Sequence, residues 1–92
     1  MDLSNAIERD PRYARAYNNR GIARVAIGNF DDGMADFTEA IKLDPNDAYA
    51  YVNRGLLLFR QGLKTEAEKD FARAISMNSS MKAFIDARLA TH

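Results

Sequence analysis

Cysteine is absent from the 92 residues, which removes disulfide frameworks, thiolate zinc sites and cysteine nucleophiles together. Histidine occurs once, as His92, the final residue, where fraying or a tag is the plainest explanation. A metal site would therefore have to rest on carboxylates alone. Asp31-Asp32 and the Asp44/Asp47 pair are the only candidates, and both read better as partners for helix dipoles. Charge of one sign is lacking too, because thirteen basic residues cancel thirteen acidic ones. No global field draws such a chain onto a phosphate backbone or an anionic bilayer, so neither nucleic acid nor membrane is an expected partner. No apolar run approaches the ~20 residues that cross a bilayer, and Met1-Asp2-Leu3-Ser4 lacks the pattern of a signal peptide. The expected location is cytoplasmic. Glycines at 21, 28, 33, 55 and 62 are too dispersed for a phosphate-cradling loop. No catalytic constellation and no cofactor site remain.

What the sequence does contain is a copy of itself. A shift of 34 residues superimposes Ala14 on Ala48, Tyr17 on Tyr51, and Asn19-Arg20-Gly21 on Asn53-Arg54-Gly55. The same shift pairs Gly28 with Gly62, Asp36-Phe37 with Asp70-Phe71, and Ala40-Ile41 with Ala74-Ile75. Upstream, Ala6-Ile7 and Asp10-Pro11 match Ala40-Ile41 and Asp44-Pro45. A fixed period of this length signals stacked supersecondary units.

Each copy reads as two helices. Tyr13, Ala16, Tyr17, Ala23 and Ile27 recur at spacings of three and four, predicting a helix over 12–27. Gly28 supplies a left-handed residue just past its end. Phe30, Met34, Phe37, Ala40 and Ile41 form a second stripe, closed at Asp44-Pro45 because the residue before proline disfavours helix. The second copy predicts helices over 48–61 and 64–77 around Gly62, then a last helix over 81–90 capped by side-chain oxygens of Asn78-Ser79-Ser80. The organisation is one all-α domain: a partial helix at 3–9, repeats at 12–44 and 46–78, and a C-terminal capping helix at 80–91. The start in mid-repeat suggests an excised or engineered piece.

These residues resemble the tetratricopeptide repeat. The first copy supplies Tyr17, Gly21, Phe37, Ala40 and Pro45 of the family pattern; the second supplies Tyr51, Gly55, Leu58, Ala67, Phe71 and Ala74. The likeness runs from about Leu3 to the C-terminus. It implies helix-turn-helix units stacked as a short right-handed superhelical solenoid. In it Gly21 and Gly55 admit the second helix of their own repeat, and Ala40 and Ala74 admit the neighbouring repeat. Departures are Arg20 and Arg54 at the usual leucine, Arg24 at a large apolar position, Gly33 for a helical alanine, Lys64 for an aromatic and Ser79 for the closing proline. Gly33 should weaken its helix by roughly 1 kcal/mol.

The resemblance also implies a function. First helices of successive repeats line a concave groove that binds a peptide or partner protein. Carried over, the contact residues are Arg15, Asn18, Asn19 and Ile22 from the first repeat, and Tyr49, Val52, Asn53, Leu56 and Arg60 from the second. Val25, Ala26 and Phe59 share the face, and Lys82, Asp86 and Arg88 extend it. Asn19 and Asn53 recur at one phase, and an amide can hold a peptide backbone without reading its sequence; the alternative is that they brace a neighbouring helix. Leu56 and Phe59 read equally as groove floor or as core. The cationic clamp that some relatives use on chaperone C-termini is not expected, because Asn18, Val52 and Ile22 stand where it needs lysine or asparagine. Arg15 and Arg60 remain open to an acidic segment. A structural alternative is self-assembly, with Leu3 and Ile7 of the partial helix driving a homodimer. RNA binding by a helical repeat is a third class, disfavoured by the zero net charge.

Overall fold

The computed structural model describes residues 13–90. Five helices occur among them, and no strand: α1 (Ala14–Ala26), α2 (Phe30–Leu43), α3 (Ala48–Arg60), α4 (Lys64–Met77) and α5 (Met81–Leu89). The chain divides into two compact units between Pro45 and Asn46. In the first, α1 packs along α2; in the second, α3 packs along α4, and α5 rests against both. The expected partial helix at 3–9, with Leu3 and Ile7, lies outside the described residues.

Helical spacing builds each interior. Gly33, Asp36, Phe37 and Ala40 are the buried residues of α2, and Ala67, Asp70, Phe71 and Ala74 are those of α4. Both sets follow i, i+3, i+4, i+7, which gathers side chains on one helical face. The facing helices meet these stripes through glycine. A Cβ on Gly21 would stand 2.6 Å from the Phe37 ring, and one on Gly55 would stand 2.6 Å from the Phe71 ring. The two phenylalanines occupy the space that a side chain on the first helix would need.

Gly33 has a reason that its low helix propensity hides. A Cβ there would lie 2.6 Å from Val25 Cγ2 and 3.1 Å from the Gly21 carbonyl oxygen. The glycine thus admits α1 from the other side, and its intrinsic cost is set against close packing.

The turns between paired helices share one design. Gly28 and Gly62 adopt φ of 89° and 83°. After α1, the amide of Asn29 donates to the Arg24 carbonyl (2.8 Å) and that of Gly28 to the Val25 carbonyl (3.0 Å). After α3, Leu63 donates to Leu58 (2.9 Å) and Gly62 to Phe59 (3.0 Å). This nested pair of bonds is the Schellman ending, which satisfies orphan carbonyls and needs a left-handed residue at its centre.

At the start of α5 the side-chain oxygen that takes a backbone N–H comes from Asn78, one of the three residues expected to supply it, and not from Ser80. Ser80 makes no side-chain cap; its own dihedrals are helical, φ −67° and ψ −15°. Instead Asn78 Oδ1 accepts from the Ser80 amide (3.1 Å) and hydroxyl (2.7 Å). The asparagine turns the chain and occupies the hydroxyl that the sequence pattern assigns to the helix.

Candidate partner-binding face

The first helix of each unit has two demands on it: one side seals the interior, the other is left to solvent. On α1 the sealed side includes Ala16, Asn18 and Gly21; on α3 it includes Ala50, Tyr51, Val52, Gly55 and Leu57. Two expected contact residues therefore fall on the wrong side. Asn18 is 6% exposed and Val52 0%. They stand at the same phase of the two repeats, so one misplaced phase accounts for both corrections: that phase points inward, and neither side chain offers a partner usable surface.

The other expected residues stay accessible. Arg15, Ile22, Tyr49 and Arg60 are exposed, and Asn19, Asn53 and Leu56 are half-buried. Leu56 and Phe59 are both half-buried, so each serves packing and surface at once. Of the large apolar side chains exposed among the described residues, Tyr13, Ile27 and Leu63 flank helix ends. The two that lie within helices are Ile22, 47% exposed, and Tyr49, 50% exposed. Both are on first helices. The Tyr49 ring meets Phe84 of α5 edge-on, centroids 5.7 Å apart, a geometry that favours aromatic pairs. On α5, Lys82 is bonded to Asp86 at 3.0 Å, and the Arg88 guanidinium lies over Phe84.

Electrostatics of the two units rest on a pair that the sequence pattern alone does not reveal. Asp36 and Asp70 sit within the buried stripes of α2 and α4, where a lone carboxylate would be costly. Arg20 donates to Asp36 through Nε (3.0 Å) and Nη2 (2.8 Å). Arg54 donates to Asp70 in the same fork, both bonds 2.8 Å. Arg24 adds a third donor to Asp36 at 3.1 Å. The hydrogen bonds to Asp36 and Asp70 raise the Arg20 and Arg54 guanidinium pKa above its already high ordinary value, against a smaller opposing effect of burial. The same two arginines lie over Tyr17 and Tyr51, at 5.5 and 6.0 Å. A signal of the pairing is present in the sequence: arginine at the leucine position and aspartate before phenylalanine recur together in both copies.

Among the described residues no three His, Cys, Asp or Glu gather as a metal site, and no helix is long and apolar enough to cross a membrane.

Known proteins share this geometry. No curated protein matches the chain. Among solved structures it is similar to MamA, at 28% identity and TM-score 0.79, over 88% of this chain and 47% of that one. It is also similar to an Arabidopsis OM64 TPR domain, at 26% identity and TM-score 0.84, over 98% of this chain and 76% of that one. YrrB, a TPR protein with an unusual peptide-binding site, shares the fold at 23% identity and TM-score 0.81, over 85% of this chain and 40% of that one. The chain thus spans about half the length of MamA and less of YrrB. The tetratricopeptide repeat profile matches residues 18–81, and with helix pairs, packing glycines and turns all in that pattern, the chain belongs to the tetratricopeptide repeat family.

Proposed function

We propose that this chain is a cytoplasmic interaction module that binds a peptide or partner protein in the concave groove formed by its first helices, and performs no catalysis. The tetratricopeptide repeat fold generally mediates protein–protein interaction. The observation that carries the reading is the exposure of Ile22 and Tyr49, the two large apolar side chains left to solvent within the described helices. An accessible isoleucine and tyrosine, accompanied by the Asn19 and Asn53 amides, combine apolar anchors with groups that can hold a peptide backbone. Arg15, Leu56 and Arg60 complete the proposed contact set. Asn18 and Val52 support it from inside.

The test is selection of binders from a random peptide library on the immobilised protein, followed by amide chemical-shift mapping of the strongest. Shifts concentrated at Asn19, Ile22, Tyr49 and Asn53 are expected. Shifts concentrated on the exposed sides of α2 and α4 would overturn the assignment of the face, and a library that yields no binder would overturn the function.

A further inference from the structure

We propose that α5 is a hinged lid on the second unit, opening and reclosing while α3 and α4 stay paired, and setting the Tyr49 ring when closed. Its hold on the unit is slight. Of its nine residues, Met81 and Ile85 are buried, Phe84 and Leu89 are half-buried, and the rest are exposed. The two buried side chains stand four positions apart and make one short stripe. A helix of this length does not keep its shape alone in water, where roughly 12–15 residues are needed even for good helix formers. Leaving α3 and α4 therefore means unwinding, and the chain entropy regained offsets the loss of a small apolar contact.

The two helices beneath are joined more firmly. Gly55 of α3 lets the Phe71 ring of α4 approach closely, and the Arg54–Asp70 fork crosses between them with two bonds of 2.8 Å. The Lys82–Asp86 pair of α5, by contrast, closes within its own helix at 3.0 Å and is exposed, so it supports the helix without docking it. Asn78 Oδ1 likewise holds the Ser80 amide and hydroxyl inside the turn, which serves as the hinge.

The lid bears on one residue of the proposed binding face. Phe84 meets the half-exposed Tyr49 ring edge-on, with centroids 5.7 Å apart. Opening α5 removes that contact and leaves the ring to turn. A ligand seated on the fixed ring then favours the closed lid, and the closed lid favours the ligand to the same degree. This link rests on the binding face proposed above; the opening of α5 does not.

The experiment is native-state amide hydrogen exchange in a series of urea concentrations below the unfolding transition, on the wild type and on Arg54→Lys. The α5 amides should exchange through an opening with a shallower urea dependence than those of α3 and α4, because less surface is exposed. Arg54→Lys keeps the charge and loses the fork. It should speed exchange in α3 and α4 by roughly fivefold and leave α5 unchanged. If the α5 amides share the urea dependence of α3 and α4, or speed up with them in Arg54→Lys, the unit is one cooperative block and the lid is overturned. The probe for Tyr49 is the strongest library-selected peptide whose shifts map to it, and near saturation it should slow α5 exchange several-fold. Unchanged α5 exchange would overturn the link while the lid stands. If no selected peptide maps to Tyr49, the binding face falls and the link with it, and the urea series still decides the lid.

Discussion

Arg54 and Asp70 lie sixteen residues apart, on α3 and α4, and are joined by two parallel hydrogen bonds of 2.8 Å. The aspartate side chain is 8% exposed and the arginine 25%. Burial makes the carboxylate intolerant of a missing partner, whereas the partly exposed guanidinium retains some water. The pair thus holds its two helices at a single register, since a slide of one turn would break both bonds.

Removing one member should cost more than removing both. Arg54→Met leaves Asp70 buried without its cation, an expected loss of roughly 2–4 kcal/mol. Arg54→Met/Asp70→Leu should recover much of it, because the apolar replacements leave no stranded charge. Urea denaturation of the wild type, both single variants and the double variant measures the coupling. Additive losses would contradict the pairing. Because the Asp70 hydrogen bond raises the Arg54 pKa, the arginine's share of this stability is fully present below the ordinary arginine range and fades only as pH rises through the raised value. Mild alkali should leave it intact.

Gly33→Ala opposes two effects. Helix propensity alone predicts a gain of roughly 1 kcal/mol. The 2.6 Å approach to Val25 and the 3.1 Å approach to the Gly21 carbonyl predict a loss, in the range of about 1–3 kcal/mol for overpacking. Packing should win, and thermal melting should show Gly33→Ala below wild type. Adding Val25→Ala to Gly33→Ala should relieve most of the clash; a Tm raised by Gly33→Ala alone would refute the close approach.

Gly28 and Gly62 isolate a backbone effect. A Cβ at either would meet nothing within 4 Å, yet φ is 89° and 83°. Alanine at either position should therefore cost about 1–2 kcal/mol through conformation alone. Asparagine, which tolerates the left-handed region better, should cost less. Chemical denaturation of the alanine and asparagine variants ranks them, and equal losses would argue that the glycines serve packing.

At the start of α5 the two polar residues should respond unequally. Asn78→Ala removes the acceptor of both the Ser80 amide and hydroxyl, and should cost about 1 kcal/mol. Ser80→Ala deletes only a hydroxyl donor and should cost less. Amide hydrogen exchange in α5 distinguishes them: faster exchange in Asn78→Ala alone is expected, and the reverse order would restore the serine as cap.

Residues whose role is local are legible in the amino-acid sequence itself. Gly28 and Gly62 declare themselves because one residue type alone fits a left-handed helix ending, and α4 lies at 64–77, where periodicity puts it. Phe37 and Phe71 are recognisable as interior for the same reason of spacing. The Arg20–Asp36 and Arg54–Asp70 pairs are not, although all four residues sit in the repeated register. Pairing them requires knowing how one helix lies along another, and a separation of sixteen residues spans a turn whose geometry periodicity does not report. Asn18 and Val52 show the same gap from the other side. A polar and an apolar residue share one phase, so neither pattern nor hydropathy reveals that the phase faces inward.

The internal closure of each ion pair bears on how such chains lengthen. Arg20 finds Asp36 within the first unit, and Arg54 finds Asp70 within the second. A segment whose buried charge is balanced by its own arginine can be duplicated in tandem without stranding a carboxylate in the new copy. Gene duplication then transmits a finished electrostatic unit, and later divergence is free to act on the residues that face outward.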